Sequence, residues 1–199
     1  SEVYILDFTS LMLFFNLEKN LGFKFKHKFL LSFLIKEHIE ERISVEKNSP
    51  FSNLSVQVNP EGIKRFIAPD DYKENRIEYY TSILKWVENN CVIDLVEEKL
   101  DVSVKLKKNK IASDSMMKIL VDNMHFSLRE NNRLITNDST LYLFQTKSGF
   151  AHNIVNPERY LTEYYTQKCD TEFYRFLLKS NYVGISINLD TIKNEFYAF

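Results

Sequence analysis

The sequence predicts an α/β domain built around a mostly parallel sheet. Short apolar runs typical of buried strands alternate along the chain with longer stretches of helical periodicity. Two of these runs, Val3–Leu6 and Arg133–Thr136, end at or just before an aspartate, and a predicted helix follows each aspartate. A strand that passes through an acidic residue into a helix is typical of the opening of a βαβ unit.

The remaining elements follow from the same periodicities. Further strands are predicted at Leu30–Leu34, Leu54–Val58, Cys91–Leu95 and His152–Val155. Helices are predicted at Ser10–Leu17, Lys36–Arg42, Glu74–Asn89, Ser113–Glu130, Ser139–Phe144, Pro157–Thr166, Asp170–Lys179 and in a last segment that ends near Tyr197. No linker or internal repeat interrupts the chain. We expect residues 1–166 to form the main domain and residues 167–199 a C-terminal helical extension packed on it.

Composition restricts the class of protein. The 199 residues include 44% apolar and 27% charged residues, which is ordinary for a globular domain with a core. Cys91 and Cys169 lie far apart without metal-ligand spacing, which favours a reducing compartment and predicts a cytoplasmic protein. No signal peptide is visible, and Phe29–Ile35, the most apolar stretch, is too short to span a bilayer, so no membrane partner is expected.

The net charge is −1. Domains that coat nucleic acid are usually strongly basic, so this value argues against such a role. It says little against an enzyme that handles a few nucleotides at a time, because that enzyme needs only local positive charge.

Two aspartates stand at the predicted carboxyl ends of strands. Asp7 follows the first strand, and Asp138 lies two residues after Thr136. Ligands of open parallel sheets bind outside these ends, so the two carboxylates face each other if their strands are neighbours. Two adjacent carboxylates repel, and a hard cation such as Mg²⁺ or Mn²⁺ offsets the repulsion. The alternative interpretation is that each aspartate caps the helix that follows it.

Four acidic residues lie in short motifs in the order Asp, Glu, Asp, Asp. Asp7 stands in an apolar-Asp-x-Thr motif that opens a helix, and Glu37 follows Ser32 by five residues. Asp122 lies in the helix before the late strand, and Asp138 ends Leu134-Ile135-Thr136-Asn137-Asp138. In this joint order, residues 3–145 resemble the PIN-domain family of metal-dependent nucleases.

The resemblance implies a three-layer α/β/α fold, with extra C-terminal helices in this longer chain. It implies a metal-dependent endoribonuclease that hydrolyses the phosphodiester bonds of single-stranded RNA with Mg²⁺ or Mn²⁺. Many small members are toxins of toxin–antitoxin pairs, so an antitoxin, another protein or a second copy of the chain are partners that the resemblance leaves open. Carried over residue by residue, it assigns catalysis to Asp7, Glu37, Asp122 and Asp138, metal binding to Asp7, Asp122 and Asp138, and their orientation to the hydroxyls of Thr9 and Thr136.

Other interpretations stay open. Glu37 sits in a charge-rich helix and fits a solvated face, and Asp122 fits an exposed turn or a pair with Lys118. The whole domain also fits a non-catalytic PIN-like module that binds RNA or protein. A phosphatase with an aspartate nucleophile is less favoured, because Asp7-Phe8-Thr9 lacks the second aspartate that such an enzyme would carry.

Two basic stretches are candidates for contact with nucleic acid. Lys105, Lys107 and Lys108 lead into the helix that bears Asp122 and would bind phosphates, or would form an ordinary solvated loop. In the second stretch, lysines at 24, 26 and 28 alternate with two phenylalanines at 23 and 25 that would stack on bases. An edge strand guarded by lysines is the favoured interpretation of that stretch.

The basic run yields a first prediction. Replacing Lys105, Lys107 and Lys108 together by alanine should weaken RNA binding and flatten the plot of log affinity against log salt concentration, because fewer counterions are released. Binding titrations at several salt concentrations measure this slope. A slope equal to that of the wild type would show that the run is a solvated loop.

Overall fold

The chain folds around a parallel sheet of five short strands. The computed structural model describes residues 2–48, 54–59, 62–67, 69–95, 115–138, 141, 153–180 and 182. Its strands, in chain order, are β1 (Val3–Leu6), β2 (Phe29–Ser32), β3 (Leu54–Asn59), β4 (Gly62–Ile67), β5 (Cys91–Asp94), β6 (Asn132–Ile135) and β7 (Ile154–Val155). The sheet has the order β5-β2-β1-β6-β7 with every neighbouring pair parallel, and β3 and β4 form a separate antiparallel hairpin.

Helices cover both faces of this sheet, which confirms the predicted three-layer α/β/α architecture. They are α1 (Phe8–Leu21), α2 (Phe33–Asn48), α3 (Tyr72–Asn90), α4 (Ser115–Leu128), α5 (Pro157–Tyr164) and α6 (Thr171–Lys179), with a 3-10 turn at Thr166–Lys168. None of the helices in the described ranges combines the length and apolar character needed to cross a bilayer.

The two faces of the sheet build two separate cores. Successive side chains of a strand point to opposite faces, so Tyr4 and Leu6 enter one core while Ile5 enters the other. The larger core receives buried residues from α1, α3, α5 and α6, and Phe126 of α4 anchors the smaller one. Burying one large apolar side chain contributes about 1.5–3 kcal/mol, so both layers of helices stabilise the sheet between them.

The register of β1 and β6 determines which residues lie side by side at the carboxyl ends of the two strands. Leu6 of β1 lies opposite Ile135 of β6 in a parallel pair, so Asp7 and Thr136 leave the sheet side by side. The strands before Asp7 and Asp138 are thus neighbours, which is the condition under which the two acids were expected to face each other.

The chain reverses its direction of growth between β1 and β6. It first adds β2 and β5 on one side of β1, then returns to place β6 and β7 on the other side. Such a reversal opens a crevice at the carboxyl ends of the two strands, which is where ligands of doubly wound sheets bind. The residues that follow β1 and β6 are therefore candidates for a binding site.

The prediction of an edge strand guarded by lysines at 24, 26 and 28 is wrong. Residues 22–28 form an irregular connection between α1 and β2. Phe23 is buried, and the ring of Phe25 stacks on that of Phe14 at a centroid distance of 4.9 Å. Both aromatic rings belong to the core, because burial of their apolar area outweighs exposure at an edge, so they are not available to stack on bases.

The described part of the C-terminal extension joins the main core. Asp170 caps α6 by accepting a hydrogen bond from the backbone N–H of Phe173 (3.1 Å). Phe173 and Leu177 then lie fully buried in the same cluster as Phe14 and Leu17 of α1. Residues 183–199, where a last helix is predicted, lie outside the described residues.

Gly22 ends α1 in the left-handed conformation, with φ of 62°, and its N–H donates to the carbonyl of Glu18 (3.1 Å). Gly22→Ala should lower the free energy of unfolding by about 1–2 kcal/mol because of this backbone conformation. Among the described residues, an added Cβ would meet Lys168 Nζ alone, at 4.0 Å, so crowding adds little. Gly22→Asn should cost less, because asparagine tolerates this conformation. Urea denaturation measures both, and equal losses would show that the backbone conformation does not set the cost.

Candidate functional site

A row of polar residues marks the carboxyl edge of the sheet. Two of them are the last residues of their strands, and three directly follow theirs. In spatial order across the sheet they are Asp94 of β5, Ser32 of β2, Asp7 after β1, Thr136 after β6 and Asn156 after β7. Because all five strands are parallel, these groups emerge on one side of the molecule.

Asp7 is the buried centre of this row. Its carboxylate is 5% exposed and accepts hydrogen bonds from the backbone N–H of Ser10 (2.6 Å) and from the hydroxyl of Thr9 (3.0 and 3.1 Å to its two oxygens). Burial raises the pKa of Asp7, although these hydrogen bonds and one from Thr136 oppose the rise. Within the described ranges, no lysine or arginine forms an ion pair with it.

The hydroxyl of Thr136 connects the two predicted strand-end acids. It donates to Oδ2 of Asp7 (2.5 Å) and accepts from the backbone N–H of Asp138 (3.0 Å). Ser10 supports the same junction by donating its hydroxyl to the carbonyl of Ile135 (2.9 Å). The end of β1 and the end of β6 are therefore tied by side chains as well as by the sheet.

Each strand-end aspartate also accepts a hydrogen bond from the backbone N–H three residues on, and for Asp7 this bond caps a helix, as the alternative interpretation held. Asp7 is the N-cap of α1, and Asp138 Oδ1 accepts from the N–H of Leu141 (3.4 Å). A cap uses one lone pair of one oxygen, and a carboxylate has about four sites. These hydrogen bonds fix the position of each carboxylate.

Asp122 projects from α4 toward the end of β2. Its Oδ2 accepts a hydrogen bond from the hydroxyl of Ser32 (2.7 Å). Burial raises the pKa of this half-buried carboxyl, opposed by the bond from Ser32 and by the charge of His125. The suggested pairing with Lys118 is not seen among the ion pairs of the described residues. Asp122 thus belongs to the carboxyl edge, one strand away from Asp7.

Glu37 lies farther out than the other predicted acids. It is exposed on α2 and lines a small pocket together with Lys118 of α4. The alternative interpretation of Glu37, a solvated helix face, agrees with this exposure. Its predicted catalytic role stays a prediction.

The metal site also stays a prediction. Among the residues that the structure describes, no group of three or more His, Cys, Asp or Glu side chains is arranged to hold a metal ion. The carboxylate of Asp7 and the backbone N–H of Asp138 share the hydroxyl of Thr136, and Asp122 lies at the neighbouring strand end. Lys105, Lys107 and Lys108, predicted to bind RNA, lie outside the described residues.

Sequence reasoning missed two residues of this edge, Glu158 and Tyr182. Glu158 is 6% exposed in the first turn of α5, directly after β7. Burial raises the pKa of the Tyr182 phenol, and the negative charges of Asp7 and Glu158 raise it further, so the field of each acid reaches Tyr182. Val155-Asn156-Pro157-Glu158 repeats the strand, polar residue and helix pattern that singled out Asp7, so the signal for Glu158 was present.

The comparisons with known proteins identify no relative. No protein-family model matches the chain, and neither a curated protein nor a solved structure matches it.

The raised pKa of Asp7 predicts a pH-dependent cost to folding. The folded state binds the proton of Asp7 more tightly than the unfolded state, whose pKa is near the ordinary 3.8. As pH rises above that value, ionisation of buried Asp7 lowers the free energy of unfolding, until pH passes the folded pKa. Asp7→Asn removes this cost and keeps the cap, since asparagine caps about as well as aspartate.

The variant should therefore be at least as stable as the wild type near neutral pH without added metal, and any advantage should shrink as pH falls toward 3.8. Urea denaturation at a series of pH values checks this. If Asp7→Asn instead loses more than about 2 kcal/mol at neutral pH, the charge of Asp7 stabilises the fold.

Proposed function

We propose that this chain hydrolyses phosphodiester bonds of single-stranded RNA with the aid of Mg²⁺ or Mn²⁺ at the carboxyl edge. One observation carries the proposal. A buried carboxylate, Asp7, lies at the point where the strand order reverses, and its hydrogen-bond donors are neutral hydroxyls and an N–H. Placing a carboxylate in such surroundings is costly, and a divalent cation would offset that cost.

The donor set fits such an ion. Mg²⁺ is usually held in proteins by one or two carboxylates together with waters and substrate phosphates, not by a complete cage of side chains. Asp7 would hold it, with Asp138 and Asp122 as the further carboxylates. When bound, the ion polarises a phosphoryl oxygen and makes a bound water a stronger nucleophile.

The neighbouring hydroxyls orient these acids. Thr136 and Thr9 each donate to Asp7, and Ser32 donates to Asp122, so each carboxylate keeps a fixed orientation. Because the hydroxyls are neutral, they do not cancel the negative charge that would attract a cation. The edge is thus arranged in advance of binding, which is what phosphoryl-transfer sites require.

A non-catalytic binding module is the second candidate. Its support is that the described residues contain no arrangement of three or more metal-ligating side chains. Such a module would bind single-stranded RNA, or a protein, without cutting RNA. The two candidates differ in one measurable respect, which is cleavage that depends on a divalent metal.

Substitution of the central acids tests the proposal. Wild-type protein with Mn²⁺ should cut single-stranded RNA, and a chelator should stop the reaction. Asp7→Asn should lower the rate at least about a hundredfold, because a lost metal ligand removes several kcal/mol of charge stabilisation. Asp122→Asn should also abolish cleavage while keeping its hydrogen bond from Ser32, since an amide oxygen accepts as a carboxylate does.

Glu88→Gln provides a matched control. Glu88 is an exposed carboxylate near the C-terminal end of α3, directly before β5 and hence at the amino edge of the sheet. The control should cut RNA at the wild-type rate. Wild-type protein that binds RNA but does not cut it with either metal would favour the binding module, and full activity in Asp7→Asn would show that the reaction occurs elsewhere.

A further inference from the structure

A small pocket lies between α2 and α4. Its volume is about 120 Å³, and it is lined by Leu34, Glu37, His38, Glu41 and Lys118. The lining combines an apolar wall with two carboxylates, an imidazole and an amine. The pocket is too small for a whole nucleotide and is of a size for one planar ring system.

The pocket adjoins the carboxyl edge on two sides. The ring of His38 meets the ring of Phe8 edge to face, at a centroid distance of 5.5 Å, and Phe8 directly follows Asp7. Lys118 lies one helical turn before Asp122 on α4, and residues with this spacing are neighbours on a helix surface. A molecule in the pocket would therefore lie beside the acids of the proposed active site.

His38 has an unsatisfied polar atom beside this pocket. The residue is 8% exposed, and its Nδ1 is sealed from solvent with no hydrogen-bond partner among the described residues. A buried N–H without an acceptor is rarer and costlier than an unpaired acceptor, so we assign an N–H to Nε2 and the unpaired lone pair to Nδ1. Nε2 is thus the nitrogen that can donate a hydrogen bond to a ligand.

We propose that this pocket binds a guanine base of the RNA strand whose phosphate lies at the carboxylates, an inference that rests on the proposed function. Guanine presents N1–H and N2–H₂ as adjacent donors, which match the two oxygens of one carboxylate from Glu37 or Glu41. Its O6 and N7 are acceptors, which match the donors of Lys118 and His38. Leu34 supplies an apolar surface for the face of the ring.

The other candidate occupants match fewer of these groups. Adenine and cytosine each offer one amino group, and uracil offers one ring N–H, so none of them presents two adjacent donors to a carboxylate. An arginine side chain of a protein partner would satisfy the two glutamates. The amine of Lys118 would repel it, however, and the donor of His38 would stay unpaired.

Calorimetric titration with the four nucleoside monophosphates tests the pocket without requiring catalysis. The full chain is titrated with GMP, AMP, CMP and UMP in the presence of a chelator. The four ligands share ribose and phosphate, so differences in affinity measure recognition of the base. GMP should bind at least about tenfold more tightly than each of the others, because a bidentate pair discriminates strongly between bases.

Variants on the exposed surface of α2 locate the binding. Glu37→Gln combined with Glu41→Gln should remove the preference for GMP, since one amide cannot accept two hydrogen bonds from adjacent donors as a carboxylate does. Glu40→Gln is the matched control. Glu40 is exposed on the same helix, pairs with Lys36 at 3.3 Å and does not line the pocket, so this variant should keep the preference.

Several outcomes would overturn the inference. Equal affinity for the four monophosphates would do so, as would a preference that survives the double substitution. Tighter binding of an arginine-containing peptide than of GMP, lost in the double variant, would assign the pocket to a protein partner. A wild type that prefers GMP but cuts no RNA would refute the proposed catalysis alone, and cleavage without a preference for GMP would refute the pocket alone.

Discussion

The hydrogen bond from Thr136 to Asp7 is the interaction on which the carboxyl edge depends. It joins the residue that follows β1 to the residue that follows β6 (2.5 Å), at the point where the chain reverses its direction of growth across the sheet. The same hydroxyl receives the N–H of Asp138 (3.0 Å), so one side chain sets the position of two acids. A hydroxyl can do this because it donates one hydrogen bond and accepts others at the same time.

Burial of Asp7 carries a thermodynamic cost that the surrounding donors only partly offset. Burial raises its pKa, and bonds from Ser10, Thr9 and Thr136 act in the opposite direction. A carboxylate kept for capping alone would serve equally well in contact with water, where its charge is solvated. Its burial in the crevice therefore favours a functional role, and the proposed metal would provide the missing positive charge.

The pocket between α2 and α4 suggests a division of roles among the acidic residues in and beside the carboxyl edge. Asp7 is buried, Asp122 is half-buried, and each accepts a hydrogen bond from a hydroxyl, whereas Glu37 and Glu41 lie on the exposed surface of α2. Rigid, buried groups suit chemistry, which needs fixed geometry, and exposed carboxylates suit recognition of a base that enters and leaves. On this view Glu37, which the motif assigned to catalysis, contributes to specificity. Cutting and recognition would then belong to adjacent parts of one surface.

The sequence by itself determined the layered fold and the importance of strand ends. Apolar runs ending in aspartate predicted β1 and β6 closely, because buried parallel strands require continuous apolar residues and helices require caps. It did not determine which strands are neighbours, since parallel pairing joins segments more than a hundred residues apart. It also misassigned residues 22–28 as an edge strand, because an alternating pattern cannot show that Phe23 is buried in a core completed by α6. Only the tertiary structure decided that Thr136 bridges Asp7 and Asp138 and that Ser32 holds Asp122, because each of these contacts depends on the order of strands in the sheet.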